Sequence, residues 1–252
     1  MADLIGLGLG GYAVVFVTLL LAYIIFGIAG FGTALVASPV LALYIPVTKI
    51  VPLLALIDFC AAVVNLRRDG RKAEWAELRR LVPLMVVGSL IGAVILLIAR
   101  PDILLLALGV FVVGYSLYSL SGLRPQRRFS PLAAVPFGAV GGVFSALFGS
   151  GGFIYAIYLG GRLDDKNALR ITQTTLIGLS TLTRVVLFAL AGVYLDASLW
   201  WLALCLAPAM WVGVTLGRRI TLRLSREQFL RVINLVVLCS GVMLIVRYLA
   251  MG

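Results

Sequence analysis

Histidine is absent from the 252 residues, and with it go imidazole metal ligation, Ser-His-Asp triads and histidine proton shuttles. Charge is scarce as well. Asp, Glu, Lys and Arg make up 12% of the chain, about half the roughly 25% of a water-soluble domain. Cysteine is limited to Cys60, Cys205 and Cys239, each inside an apolar run and without metal-ligand spacing, which reads as small buried side chains with no redox role. There is no ATP-binding loop, so energy for any pumping must come from an ion gradient or a partner. No residue pattern asks for a cofactor or a metal. Bases outnumber acids by 21 to 10, a formal net charge of +11. In a soluble chain this balance would suggest nucleic acid, but the bases lie in short connectors between apolar stretches, where they report topology instead.

What remains is apolar. Hydrophobic residues are 62% of the chain and mean hydropathy is +1.13, with bilayer-length runs recurring from end to end. The chain therefore reads as an all-α integral membrane protein without a separate soluble domain. The start, Met1-Ala2-Asp3-Leu4, lacks the basic region of a signal peptide, so the first apolar segment is expected to stay in the mature protein. Ten apolar segments lie near 8–29, 33–45, 48–66, 79–99, 103–121, 131–148, 152–161, 168–192, 198–217 and 229–249. About eight have the length of transmembrane helices. Those at 33–45 and 152–161 are too short for a hydrocarbon core of roughly 30 Å and follow glycine clusters, so each either crosses with shielded ends or re-enters.

Four connectors hold 17 of the 21 basic residues: Arg67, Arg68, Arg71, Lys72, Arg79 and Arg80; Arg124, Arg127 and Arg128; Arg162, Lys166 and Arg170; and Arg218, Arg219, Arg223, Arg226 and Arg231. All four fall on one side whether the short segments cross or fold back. The positive-inside rule makes that side cytoplasmic, places both termini outside and implies a multi-pass protein of the cytoplasmic membrane.

An internal repeat is visible. The stretch from Pro83 through Gly88 and Gly92 to Ile95 aligns with that from Pro208 through Gly213 and Gly217 to Ile220 at a constant offset of 125, which Trp75 and Trp200 share. The clusters Gly30-Phe31-Gly32-Thr33 and Gly149-Ser150-Gly151-Gly152 match at 119. The repeats are thus 8–122 and 131–250, within one membrane domain of 1–252. Each holds an odd number of crossings, so the second is inverted relative to the first. Two inverted repeats with a glycine break in each are the pattern of secondary transporters that bind substrate near the membrane midplane.

At these residues the sequence resembles the sulfite exporter TauE/SafE family, also called TSUP. The resemblance rests on Gly27-Ile28-Ala29-Gly30-Phe31-Gly32 followed by Ser38-Pro39, on Arg67-Arg68-Asp69-Gly70 ahead of Trp75, and on the counterparts from Gly141 to Gly152 and from Ala191 to Asp196. It implies transport, in the sense of export, of small sulfur-containing anions such as sulfite, sulfoacetate or other organosulfonates.

Helix breaks expose backbone N–H groups, and the positive end of a half-helix favours an anion. Gly30, Gly32 and Thr33, with Gly149, Ser150, Gly151 and Gly152, are accordingly candidate substrate contacts; the alternative is that the glycines only permit close helix packing. Arg184 lies deep in an apolar stretch, where a charge is a functional hypothesis by default. Its planar guanidinium matches a sulfonate or sulfite. Gln173, Ser180 and Arg184 share a helical face at i, i+7 and i+11, with Thr181 beside them. The competing reading of Arg184 is a structural ion pair or a side chain reaching for the interface.

Asp58, central in its segment, is the candidate coupling residue. Desolvation favours its neutral form and a neighbouring cation its charged form, so it could take up and release a proton; the alternative is a fixed counter-ion to Arg184. Asn65 follows at i+7, aligns with Arg184 at the offset of 119 and joins the substrate-binding candidates. Thr172, Thr174, Thr175, Ser38 and Tyr155 are weaker ones. Trp75, Trp200, Trp201 and Tyr248 read as interfacial anchors. The function expected is secondary active transport of a small anion by alternating access, with protons as coupling ion; a passive small-anion channel is the alternative, distinguishable by conduction beyond carrier rates. An enzyme is disfavoured, because no nucleophile and base pair is present. Oligomeric state is not legible, and a homodimer stays open beside a monomer.

Overall fold

The computed structural model describes residues 9–29, 32–69, 73–121 and 129–220, with 235, 238–239, 241–246 and 248–250 beyond them. Among these the elements are all helical: α1 (Leu9–Ala29), α2 (Thr33–Leu41), α3 (Val47–Asp69), α4 (Trp75–Ile98), α5 (Pro101–Leu120), α6 (Ala134–Phe148), α7 (Gly152–Gly160), α8 (Lys166–Leu190) and α9 (Ala197–Ile220). Short 3-10 turns at Pro131–Ala133 and Val193–Leu195 precede α6 and α9. Six of the described helices are long and apolar enough to cross a membrane.

Most element bounds follow the apolar runs, and the differences have local causes. Helix α3 continues to Asp69, beyond the expected end at 66. Helix α4 begins at Trp75 and not at 79, with Glu77 in its first turn, where an acid complements the N-terminal dipole. Much of the expected basic connector is thus helix. Pro101 at the first position of α5 has no N–H to leave unsatisfied there. Cys60 and Cys239 are exposed and Cys205 is half-buried, contrary to the buried side chains expected. In a membrane chain an apolar residue can face lipid as readily as the protein interior.

The chain divides into two compact units. The first comprises Met1–Ile50, Ile98–Leu123 and Ala197–Gly252, and so contains α1, α2, α5 and α9. Its core includes Val15, Leu19 and Tyr23 of α1 and Leu206 and Ala209 of α9. Helices α1 and α9 approach closely because Gly213 and Gly217 present no side chain: a Cβ on Gly213 would strike the carbonyl of Leu20, and one on Gly217 that of Ile24. Tyr12 donates a hydrogen bond of 2.9 Å to the carbonyl of Cys205 across the same contact.

The second unit comprises Val51–Leu97 and Arg124–Asp196, hence α4, α6, α7, α8 and α3 beyond its first turn. Leu78, Leu81 and Met85 of α4 pack with Tyr155, Tyr158 and Leu159 of α7 and Leu176 of α8. Here too a pair of glycines sets the approach of two helices. A Cβ on Gly88 would meet the carbonyl of Ala139, and one on Gly92 that of Val143. These contacts stand at the repeat offsets from those of the first unit: 125 for the glycines, 119 for the carbonyls they face. Small residues of this kind let membrane helices pack without a hydrophobic driving force.

Candidate functional site

Helix α8 carries the polar stripe expected of it. Gln173, Ser180, Thr181 and Arg184 are all buried, Arg184 to 2% exposure, and a charge at such depth in a membrane helix costs about 3 kcal/mol or more. The second unit meets that cost with neighbours from its other helices. Arg184 Nη2 donates to Thr181 Oγ1 at 3.0 Å and stands 4.0 Å from Asp58 Oδ2 of α3. The ion pair is longer than a hydrogen bond. One turn back, Ser180 shares a hydrogen bond of 2.6 Å with Ser145 of α6.

Tyr155 of α7, fully buried, lies beside Ser180 and within electrostatic reach of Arg184. Its ring occupies the space left by the missing side chain of Gly141, and Gly151 packs on the Gly141 carbonyl and on Ser145. The Tyr155 hydroxyl has Ser180 as its hydrogen-bonding neighbour at less than ideal geometry, and Gln173 Nε2 has no partner among the described residues. Gln173 Nε2 is therefore a neutral donor buried without an acceptor among the described residues of the helix that holds Arg184, a condition that costs roughly 1–3 kcal/mol unless a ligand or water accepts. Tyr194, in the 3-10 turn after α8, donates to the carbonyl of Pro52 at 3.1 Å. Burial pushes its phenol up from the ordinary value, against the opposing charge of Arg184.

The glycine breaks differ in their details. In the first unit Gly32 holds a left-handed φ of 98° as the residue before α2, and Thr33 is buried at the start of that helix. Gly30 lies outside the described residues. In the second unit the left-handed residue is Gly149, φ 68°, which ends α6. Ser150 turns its hydroxyl back to the carbonyl of Phe148 at 3.1 Å, and Gly152 opens α7. The second unit thus brings Asp58, Gln173 and Arg184 into the same bundle as Gly149, Ser150, Gly151 and Gly152, whereas Gly32 and Thr33 belong to the first. Asn65 falls in α3, its side chain outside the described residues. Thr172 accepts a hydrogen bond of 2.9 Å from the backbone N–H of Glu74, a bond that ties α8 to the approach to α4. Trp75, Trp200 and Trp201 are about half exposed, as anchors at a bilayer surface would be.

The family model described as sulfite exporter TauE/SafE matches residues 15–244. The chain belongs to the TauE/SafE family. None of the curated proteins and none of the solved structures matches it. Membership, together with the apolar helices, makes this TauE/SafE chain a multi-pass membrane protein of a transporter family.

The structure of this TauE/SafE chain also shows a second polar centre that its sequence did not announce. Glu77 of α4, 5% exposed, receives Tyr158 Oη at 2.7 Å on one carboxylate oxygen. On the other it receives Arg162 Nη2 at 2.7 Å, Arg162 Nε at 3.1 Å and Arg80 Nη1 at 2.7 Å. Arg162 Nη1 also donates to the carbonyl of Phe129 at 3.1 Å. The hydrogen bond to Glu77 holds the Arg162 guanidinium still more firmly protonated than usual. Arg80 and Arg162 had been legible only as two of many connector bases. Glu77, Tyr158 and Ser145 gave no signal, because their partners come from helices remote in sequence.

Proposed function

We propose that this chain is a secondary active transporter that moves small sulfur-containing anions, namely sulfite, sulfoacetate or other organosulfonates, out across the cytoplasmic membrane. The observation that carries the reading is a buried arginine on a helix that also buries Gln173, Ser180 and Thr181, with the Tyr155 hydroxyl beside them and Gln173 Nε2 without an acceptor among the described residues. A sulfonate or sulfite supplies acceptor oxygens only to such a set, and the guanidinium supplies charge and planar donors to match them. The break after Gly149 supports a further contact, since the positive end of a helix favours an anion. Substrate-binding residues in this reading are Gln173, Arg184, Tyr155, Gly149, Ser150, Gly151 and Gly152, with Asn65 on α3 and the first break at Gly30, Gly32 and Thr33.

Alternating access by two inverted repeats, 8–122 and 131–250, belongs to the same reading. It is supported by the equivalent glycine-to-carbonyl contacts of α9 on α1 and of α4 on α6. About eight helices cross, the arginine-rich connectors face the cytoplasm and both termini lie outside. Protons are the coupling ion and Asp58 is their carrier: an anion that engages Arg184 weakens the hold of that cation on the carboxylate, and the carboxylate then binds a proton.

The test is anion flux into proteoliposomes offered sulfite, sulfoacetate, sulfate, formate and chloride in turn, with and without a pH gradient. Saturable flux of a sulfur anion, accelerated by the gradient in the wild type and indifferent to it in Asp58→Asn, is the expected result. Flux that follows chloride or formate instead, or that never saturates, would remove the substrate class or the carrier mechanism respectively.

A further inference from the structure

We propose that Glu77 is a positioning residue for transport, which through Tyr158 and Arg162 fixes helix α7 and so places the Tyr155 hydroxyl on the Arg184 stripe. The inference rests on the reading above for its consequence, and on geometry alone for its cause.

Helix α7 has nine residues, roughly 14 Å of rise, and cannot be held by two membrane surfaces. Nor does α6 hold it rigidly, because the chain between them passes through the left-handed Gly149. Apolar packing with α4 and α8 and the Tyr155 ring against Gly141 restrain it, and two polar or close-contact features add to that. At its start Gly151 rests on the Gly141 carbonyl and on Ser145, which limits how closely α7 approaches α6. At its other end Tyr158 and Arg162 both end on the Glu77 carboxylate. Arg162 and Gly161 are tied in addition to the backbone of Phe129. Tyr158 stands three residues after Tyr155, so the two rings leave neighbouring positions on one face. Holding one hydroxyl at 2.7 Å from a fixed carboxylate therefore holds the other in azimuth.

A purely structural role explains this centre poorly. Of these charges only the carboxylate is buried, Arg80 and Arg162 being partly exposed, and such ion pairs add little stability compared with well-packed apolar side chains; their better attested use is to select one arrangement among several. A carboxylate shared by two arginines and a tyrosine is such a selector. It joins α4, the end of α7 and the segment before α6 at one point.

The experiment has two arms. In proteoliposomes with sulfite or sulfoacetate, Glu77→Gln should raise KM about tenfold with kcat within about twofold, as removal of a ground-state contact does. Tyr155→Phe should do the same, and the double variant should be no worse than either, because both act through one hydroxyl. Losses that multiply would overturn the proposal. The second arm needs no substrate: Ile157→Cys is placed on α7 in a background with Cys60, Cys205 and Cys239 changed to Ser, and its alkylation by N-ethylmaleimide is timed in detergent. Glu77→Gln should speed alkylation about fivefold as α7 begins to open locally, and an unchanged rate would overturn the proposal whatever the flux. If Glu77→Gln does not fold, Tyr158→Phe removes a single bond and should move both readouts in the same direction by about threefold. Wild-type protein without saturable flux would sink the transport reading alone, and the alkylation arm would still decide whether Glu77 holds α7.

Discussion

The two compact units are packed by the same device and differ in what they bury. In each, a pair of glycines four residues apart lies against the carbonyls of a neighbouring helix, Gly213 and Gly217 on α1 in the first and Gly88 and Gly92 on α6 in the second. Yet among the described residues the buried polar groups of the first unit are Thr33, Ser38 and Ser116, all uncharged hydroxyls, while those of the second include Asp58, Glu77 and Arg184. Close backbone approach needs glycine in both units, whereas the buried charges gather in one. Packing and side-chain chemistry are thus separable, and substitutions separate them.

The largest separation is expected at Arg184. Arg184→Gln should lower flux of the sulfur anion by about two to three decades, since breaking a buried charged contact costs about 3–5 kcal/mol and each 1.4 kcal/mol is a factor of ten. Ser38→Ala in the first unit removes a neutral hydroxyl with no hydrogen-bond partner and should change flux less than about threefold. Part of the Arg184→Gln effect would be lost folding, because Asp58 keeps its charge without the cation 4.0 Å away. The Asp58→Asn/Arg184→Gln pair removes both charges. It should recover the thermal stability lost in the single variant and none of its flux. Equal sensitivity at Ser38 and Arg184 would mean that the units share the chemistry after all.

Sequence reasoning reached this asymmetry in part, and its reach had a physical limit. The stripe of Gln173, Ser180 and Arg184 was legible because helix periodicity places i, i+7 and i+11 on one face regardless of tertiary context. The proximity of Asp58 to Arg184 was legible only as a choice between roles, since a buried charge in a membrane requires a partner but does not name it. The centre around Glu77 was illegible: Glu77 and Tyr158 lie 81 residues apart, and only the packing of α7 on α4 brings them together. Element bounds failed where an acid sits comfortably in the first turn of a helix, as at Glu77, because hydropathy alone truncates a helix there. The glycines of Gly88 and Gly213 were found by their spacing, and the carbonyls that they face were not, for a backbone acceptor leaves no mark in the sequence.

A smaller effect, equal in the two units, is expected at those glycines. Gly88→Ala and Gly213→Ala both force a methyl into a backbone carbonyl. Overpacking of this kind costs about 1–3 kcal/mol, a drop in Tm of about 3–10 °C for a chain of this size. Gly10→Ala, with open space around its Cβ, should leave Tm within about 1 °C, and a helix interior prefers alanine to glycine in any case. If Gly88→Ala melts markedly lower than Gly213→Ala, the two crossings are not equivalent and the common scaffold is an illusion of spacing.

The finest separation lies at the breaks themselves. Gly32 has a φ of 98° but open space where a Cβ would point. Gly32→Ala therefore suffers backbone strain alone, about 1–2 kcal/mol for an L-residue in the left-handed region. Gly151 is the reverse case, with an ordinary φ of −67° and a Cβ position blocked by the Gly141 carbonyl and Ser145. Gly151→Ala should thus cost a similar amount by a different route, moving α7 away from α6 and with it Tyr155. Thermal melts of the two variants should nearly coincide, within about 4 °C. Their transport should not: KM should rise several-fold for Gly151→Ala and stay near the wild-type value for Gly32→Ala, because only the second unit converts a shift of its short helix into a displaced hydroxyl beside Arg184.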